Sequence, residues 1–162
     1  MATLNGSKLV DLVKRIVGFG DAASDDEYAV KMLLRPATKW VVHGEPTDTA
    51  NDSYRYVLDG GLDSRVFIEE VKVVCDDTVT ANGTNYKTIS LVNNDAAAGS
   101  DTTIGSLSTA STGFTGKVAR SMTLTAANQV VASGQQLEVV VAATAAGVVL
   151  TGLSVIVKGR PI

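Results

Sequence analysis

The sequence predicts a mainly β protein: an antiparallel two-sheet sandwich with jelly-roll connections and a short N-terminal helix or arm. The first observation behind this prediction is the C-terminal third, where apolar side chains alternate along two successive segments. They are Leu137, Val139, Val141 and Ala143, then Val149, Thr151, Leu153, Val155 and Val157. Because neighbouring side chains of a strand point to opposite faces, the pattern predicts two antiparallel strands that feed one core. The small, uncharged segment 144–147 predicts a tight connection between them.

The second observation is the number of short alternating segments. After residue 64 they are separated by turn residues such as Asn82-Gly83, and the later connections leave no room for a helix. About seven or eight strands of this kind favour a jelly roll or an immunoglobulin-like sandwich. The jelly roll is preferred, because a turn at Ser133-Gly134 leads into a long core strand that a similar strand follows.

The third observation is a composition that limits the fold to one aliphatic core. A chain of 162 residues buries about two-thirds of its unfolded surface, which suffices for one independent domain. Aromatic residues make up only 5% of the chain, so Val, Leu and Ile must fill the interior. We therefore expect residues 1–20 to form the helix or arm and residues 21–162 to form the sandwich domain.

The N-terminal arm is predicted from the helical spacing of apolar residues within 7–17, where charged residues occupy the other side. Ser7 is suited to cap this helix and Gly18 to end it. A helix this short is marginal in water, so it docks either on its own domain or on a neighbouring subunit or larger surface. In the second case the residues that contact the neighbouring subunit or larger surface are Leu9, Leu12, Val13, Ile16 and Phe19.

Three strands are predicted before the middle of the chain. Segment 38–42 lies between two prolines, and segment 53–58 is closed by an Asp-Gly-Gly turn. Segment 65–75 is the longest of the three. Strict alternation along it places these side chains on one face: Phe67, Glu69, Val71, Val73 and Cys75.

The second half of the chain combines strands with one long loop. Segment 86–93 is predicted to be a strand with Ile89 and Leu91 on one side. Segment 94–116 is rich in Ala, Gly, Ser and Thr, and we expect it to form a loop that covers a sandwich end or reaches a neighbouring subunit. Segment 117–125 resumes the alternation.

Few residues in the sequence are suited to catalysis. His43 is the only histidine, so neither a Ser-His-Asp triad nor a zinc site with several His ligands is predicted. It lies beside Gly44 and is interpreted as a loop residue. Cys75, the only cysteine, lies on an apolar strand face and is interpreted as a small buried hydrophobic residue. We predict no enzymatic activity and no cofactor.

Paired carboxylates do not change this interpretation. Glu69-Glu70 and Asp76-Asp77 are sequence neighbours, and neighbours in a strand point to opposite faces, so neither pair is expected to converge on one bond. The segment 59–63 contains two aspartates and is the best calcium candidate. Its ligand density is low, so it is interpreted as a turn and no metal site is predicted.

Charge and hydropathy exclude several partner classes. The net charge is −3 and the chain has no basic run, which argues against nucleic-acid binding. No segment reaches the roughly 20 apolar residues that a membrane helix needs, and no secretory signal begins the sequence. A single cysteine excludes an intramolecular disulfide and is consistent with folding in a reducing cytoplasm.

Three parts of the chain together resemble one known family. They are the helical segment Leu9 to Val17, the low-charge segment Ala96 to Gly116, and the paired strands of Gln136 to Lys158. In this combination the chain is similar to the capsid decoration, or cement, proteins of tailed bacteriophages. The resemblance implies a homotrimer on the virion's capsid surface, made in the host cytoplasm. Its partner is the major capsid protein, and it bridges adjacent copies at three-fold positions against the pressure of packaged DNA.

Two other functions remain open from the residues alone. A head-fibre or tail-fibre module that binds a host receptor has the same β-rich composition, and a repeat-bearing shaft would favour it. A carbohydrate-binding jelly-roll module would need an exposed aromatic platform. The candidates for such a platform are Trp40, Tyr54, Tyr56 and Tyr86, which are scattered along the chain.

Overall fold

Two antiparallel five-stranded sheets form the described part of this protein. The computed structural model describes residues 38–43, 49–95 and 100–162, which all lie in one compact unit, Ala37–Ile162. The strands are Thr38–His43 (β1), Tyr54–Asp59 (β2), Val66–Val74 (β3), Tyr86–Asp95 (β4), Ser100–Ser108 (β5), Arg120–Ser121 (β6), Thr123–Leu124 (β7), Val130–Val131 (β8), Gln136–Thr144 (β9) and Ser154–Pro161 (β10). A 3₁₀ turn at Ala126–Asn128 lies between β7 and β8.

Strands that are neighbours in a sheet are mostly distant in sequence. The first sheet has the order β1-β10-β3-β6, with β8 also paired to β3, and the second has the order β2-β9-β4-β5-β7. All of these pairings are antiparallel. The predicted mainly β fold with antiparallel sheets is therefore confirmed, and its architecture is consistent with a sandwich.

The inner faces of both sheets contribute to one core. Its members are almost all aliphatic, as the low aromatic content predicted, and Phe114 is the only aromatic residue of the described chain that is buried in it. The described core residues that are fully inaccessible to solvent are Ile68, Val73, Cys75, Ile89, Leu91, Ile104, Val131, Leu137, Val139, Val141, Leu150, Val155 and Val157. Cys75 is thus a small buried hydrophobic residue, as predicted.

The connections divide between the two ends of the sandwich. We call one the long-loop end; it contains residues 49–53, 75–85, 109–119 and 145–153. The opposite end, the short-turn end, contains the connection between β2 and β3 and the turns on either side of β8. The predicted N-terminal helix and the candidate contact residues Leu9, Leu12, Val13, Ile16 and Phe19 lie outside the described residues.

The sequence correctly predicted that the last two strands, β9 and β10, exist. The prediction that a tight connection joins them as an antiparallel pair was wrong. Leu137, Val139 and Val141 are buried on one face of β9, as the alternation predicted. However, β9 and β10 belong to different sheets and do not pair with each other. Strand β10 begins only at Ser154, and Val149 is 46% exposed in the connection. The residues between the strands therefore cross from one sheet to the other.

Strand β3 departs from strict alternation. Val66 and Ile68 are buried in its first half, whereas Val71 and Val73 are buried in its second half. The pairing with β10 shifts at this point, because Ile68 pairs with Gly159 and Glu70 with Lys158, which leaves Glu69 as the extra residue of a β-bulge. The predicted common face was therefore wrong for Phe67 and Glu69.

The predicted loop at 94–116 was also wrong. Ser100–Ser108 forms β5, which pairs with β4 along its length and with β7. Ile104 and Leu107 from this strand are buried in the core. Segment 117–125 is divided between the sheets, because β6 pairs with β3 and β7 pairs with β5, with buried Met122 between them.

The remaining strand predictions were close to the structure. Strands β1, β2 and β4 lie where the sequence placed them, and Asn82 forms a turn by accepting hydrogen bonds from the backbone N–H groups of Thr84 (3.0 Å) and Asn85 (2.9 Å). His43 is an exception, because it is the last residue of β1 rather than a loop residue.

Candidate functional site

The long-loop end is held together by hydrogen bonds between connections that are distant in sequence. Asp76 N donates to Thr151 O (2.8 Å), and Lys117 N donates to Cys75 O (2.7 Å). Ala146 N donates to the side-chain oxygen of Asn85 (3.2 Å). The first and third bonds join segment 75–85 to segment 145–153, and the second joins segment 75–85 to segment 109–119, so these three loops form a continuous hydrogen-bonded layer.

A buried lysine helps to form this layer. Lys87 is fully inaccessible to solvent and lies in β4, in the same phase as the core residues Ile89 and Leu91. Its ammonium group donates to Thr49 O at 2.8 Å and lies 5.4 Å from the centre of the Tyr54 ring. Since a buried ammonium is costly unless it is hydrogen-bonded, the contact fixes the loop before β2 to the start of β4.

An arginine fixes the loop between β5 and β6, as Lys87 fixes the loop before β2. Arg120 donates from Nη1 to the carbonyl oxygens of Thr112 (2.6 Å) and Gly113 (2.9 Å). Its guanidinium carbon lies 5.0 Å from the centre of the Phe114 ring. Partial burial lowers the pKa of Arg120 from its ordinary value. This cation is therefore used to order the loop.

The outer face of the second sheet carries an ion network across its strands. Arg55 in the edge strand β2 donates to the carboxylates of Glu138 in β9 and Asp101 in β5. Glu138 is only 3% exposed, and it also accepts a hydrogen bond from Asn94 Nδ2 at 3.1 Å. The hydrogen bonds to Asp101 and Glu138 raise the pKa of Arg55, and the bond from Arg55 lowers the pKa of Asp101. The network ties the edge strand to the rest of its sheet.

We expect the ion pairs of Arg55 with Glu138 and with Asp101 to contribute differently to the free energy of unfolding. Replacing Arg55 with methionine should lower the free energy of unfolding by about 2 kcal/mol, because buried Glu138 loses its cation. Asp101→Asn should cost only about 0.5 kcal/mol, because that pair is more than one-third exposed on both sides. Urea unfolding at pH 7 measures both, and equal losses would contradict the assignment.

The Asp101 contribution should also depend on pH. Because the folded-state pKa of Asp101 lies below its ordinary value of 3.8, its stabilisation is present above that pH. It is lost as the pH falls through the lower folded-state pKa. The difference between Asp101→Asn and the unchanged chain should therefore disappear in strongly acid solution.

The outer face of the first sheet carries a second group of ion pairs. The bulge at Glu69 turns both Glu69 and Glu70 away from the core, so the prediction that they point to opposite faces was wrong. Glu69 pairs with Arg160 (3.2 Å) and Lys158 (3.7 Å), whereas Glu70 pairs with Lys72 (2.8 Å). The two carboxylates therefore bind different cations.

The described aromatic residues that were candidates for a sugar platform do not form one. Trp40 is half-buried, packs against the core and donates from Nε1 to Asp59 Oδ2 at 3.2 Å. Tyr54 and Tyr56 are also only partly exposed, and their rings pack edge to face at 5.2 Å. Tyr86, at the start of β4, is half-buried as well.

The predicted turn at 59–63 is present. The carboxylate of Asp59 accepts hydrogen bonds from Trp40 Nε1 and from Gly61 N (3.1 Å), so both of its oxygens have protein donors. Across residues 38–43, 49–95 and 100–162 there is no group of three or more His, Cys, Asp or Glu side chains that could hold a metal ion. Nor does this part of the chain contain a helix with the length and hydropathy of a membrane span.

Comparison with known proteins adds no further assignment. No protein-family model matches this chain, and no curated protein sequence is significantly similar to it.

Proposed function

We propose that this protein is a capsid decoration protein, which binds the outer surface of a tailed-bacteriophage head as a homotrimer and bridges adjacent major capsid proteins. The observation that carries the proposal is that three cationic side chains of the described residues contact groups within their own domain. Lys87, Arg120 and Arg55 all bind groups of their own domain and hold loops or strands together. Such a domain is suited to bearing mechanical load between neighbouring subunits.

The family resemblance supports this proposal through one of its three parts. Segment Gln136 to Lys158 forms two strands, β9 and most of β10, although they lie in different sheets and do not pair with each other. Each of them lies between two strands that come earlier in the sequence. Segment Ala96 to Gly116 does not support it as a loop, because it contains β5. The segment Leu9 to Val17 lies outside the described residues, and its contact with the capsid stays part of the proposal.

The jelly-roll assignment belongs to the same proposal. It is supported by the order in which the strands alternate between the sheets. Within the described chain, β4 and β5 are the only consecutive strands that pair with each other. The strands β1, β10, β3 and β6 then face β2, β9, β4 and β5, which is the arrangement expected when a long antiparallel hairpin is wound into two sheets.

A cement protein needs surfaces that associate over large areas. Stable interfaces bury on the order of 1,000 Å² or more and are poor in charge at their centres. The long-loop end presents Val118 (52% exposed) and Val149 (46% exposed) together with Ser, Thr, Ala and Gly residues, and it also carries exposed charges such as Asp77 and Lys117. The two exposed valines are the feature of this end that fits such a contact. Three copies bound around one axis would also gain avidity, because the later contacts become intramolecular.

The first test is the mass of the protein in solution. We expect size-exclusion chromatography with light scattering to give a species of about 50 kDa, three times the chain mass, that persists on dilution. A monomer of 16.8 kDa at all concentrations would contradict the trimer and remove the avidity argument.

Attachment to undecorated phage heads then tests the function itself, with co-sedimentation as the readout. A matched variant that lacks Met1 to Gly18 separates the proposed anchor from the sandwich. Loss of binding with an unchanged fold and mass would support the N-terminal anchor. Unchanged binding would exclude it as the main contact, and failure of both proteins to bind would contradict the decoration function.

A further inference from the structure

A small acidic cleft lies at the short-turn end of the sandwich. Its volume is about 140 Å³. It is lined by Trp40, Asp59, Leu62, Asp63, Ser64, Val66 and Pro161. The lining combines one indole ring, two carboxylates and a hydroxyl with aliphatic groups, and the ion networks of the two outer sheet faces involve none of these residues.

The indole wall of the cleft is fixed in position. Trp40 Nε1 donates to Asp59 Oδ2, which joins β1 of the first sheet to β2 of the second. A side chain at Gly159 would press on the Trp40 ring and on Val66, so glycine at this position leaves room for the indole. The cleft therefore has a preformed aromatic side.

The two carboxylates leave negative charge unneutralised at the cleft. Asp63 is exposed, and its carboxylate has neither an ion pair nor a hydrogen bond with any other described residue. Asp59 accepts two hydrogen bonds, from Trp40 and Gly61, but both donors are neutral. An ionised carboxylate offers about four acceptor sites, so Asp59 retains capacity for a further donor.

The volume of the cleft limits the kind of chemical group that can bind in it. The cleft has a volume of only about 140 Å³. Pockets for whole small molecules are larger, roughly 300 Å³ and above. A guanidinium or ammonium head with its first methylene groups is small enough for this volume, and its donors would meet the carboxylates while its stem packs on the indole.

We propose that the cleft binds a single guanidinium or alkylammonium group, of the kind carried by an arginine or lysine side chain of a partner protein. Free polyamines carry the same chemistry. The site is independent of the decoration function, because it rests on the geometry of Trp40, residues 59–66 and Pro161 alone.

Trp40 provides a direct readout, because it is the only tryptophan in the chain. The indole N–H resonance and the intrinsic fluorescence of the full-length protein both report on the cleft. Argininamide and putrescine are the cationic probes, and citrullinamide is the neutral probe of matched shape. The α-amino groups of argininamide and citrullinamide are acetylated, because a free α-ammonium would make both compounds cationic. We expect a saturable shift with a cation at a dissociation constant of about 1 mM, and no such shift with citrullinamide.

Matched variants identify the carboxylate responsible. Asp63→Asn should weaken binding about tenfold, the loss expected for one charge-assisted contact. Asp77→Asn, an exposed aspartate at the long-loop end, should leave binding unchanged. Equal urea midpoints for the variants would show that the fold is intact. Tighter binding of argininamide assigns the site to a protein side chain, and tighter binding of putrescine assigns it to a free polyamine.

Three results would overturn the proposal. The first is no saturable shift with either cation. The second is an equal shift with citrullinamide or in Asp63→Asn. The third is saturation by Ca²⁺ at a lower concentration than by either organic cation, which would indicate a metal site. None of these results bears on the trimer mass or on attachment to phage heads, so the two proposals fail separately.

Discussion

Replacing Gly147 with alanine should lower the free energy of unfolding by about 3 kcal/mol or more. Gly147 has a φ of +59°, a conformation that costs other residues about 1–2 kcal/mol. An added Cβ would also overlap the backbone oxygen of Ala50, which has no flexible end with which to move away. Strain and overlap therefore act together where the β9–β10 connection meets the loop before β2. Urea unfolding with an unchanged m-value measures the loss.

Two other glycines separate these contributions. Gly134 has a φ of +81° but open space around its Cβ position, so Gly134→Ala should cost only the conformational part, about 1–2 kcal/mol. Gly83 has neither positive φ nor a neighbour within 4 Å, so Gly83→Ala should change stability by less than about 0.5 kcal/mol. If Gly147→Ala were no worse than Gly134→Ala, the close approach of the two loops would be disproved.

Phe114→Ala should cost about 3–5 kcal/mol, the range for removing a buried aromatic side chain. Phe114 is 2% exposed, and its backbone exchanges two hydrogen bonds with Val79. The ring packs in the core while Arg120 covers it from outside. Removing the ring therefore leaves a cavity and also removes the surface on which that guanidinium rests.

Phe114→Leu is the matched control. Leucine keeps most of the apolar volume, and we expect a loss of about 1–1.5 kcal/mol. Thermal and urea unfolding of both variants would show whether this segment is structural. A loss below about 1 kcal/mol for Phe114→Ala would mean that this part of segment 94–116 is a loop that contributes little to the core, in contrast to its position in the structure.

The alternation of apolar residues was sufficient to predict the fold class. Strands that keep strict alternation, such as β4 and β9, were identified with nearly correct limits. The alternation of apolar residues could not predict which strands pair, because pairing depends on residues far apart in sequence. Strands β9 and β10 have the pattern expected of a hairpin, yet both are central strands of separate sheets.

Two local features explain the other errors. The bulge at Glu69 changes the phase of β3. No residue type marks this bulge in the sequence, because the extra residue is recognised only when β3 is paired with β10 at Gly159. Strand β5 has few apolar residues, but Ile104 and Leu107 are enough to anchor it once β4 supplies the backbone hydrogen bonds. Composition alone therefore underestimates the tendency of such a segment to form a strand.

The polar residues that hold the domain together were also missed. Lys87 occurs in phase with Ile89 and Leu91, and a lysine on an otherwise apolar face is a signal that the sequence did contain. Arg55 and Glu138 gave no such signal, because their strands β2 and β9 are neighbours only in the folded sheet. The cleft at Trp40 likewise depends on the contact between two sheets.

The placement of β9 and β10 has a consequence for how the chain folds during synthesis. Each sheet lacks a central strand until these last segments leave the ribosome, so the earlier strands have no complete surface on which to assemble. Closure then requires long-range pairing, which makes folding slow relative to proteins of local topology. Nascent chains that stop before Gln136 should remain unfolded and open to proteolysis, whatever the stability of the finished domain.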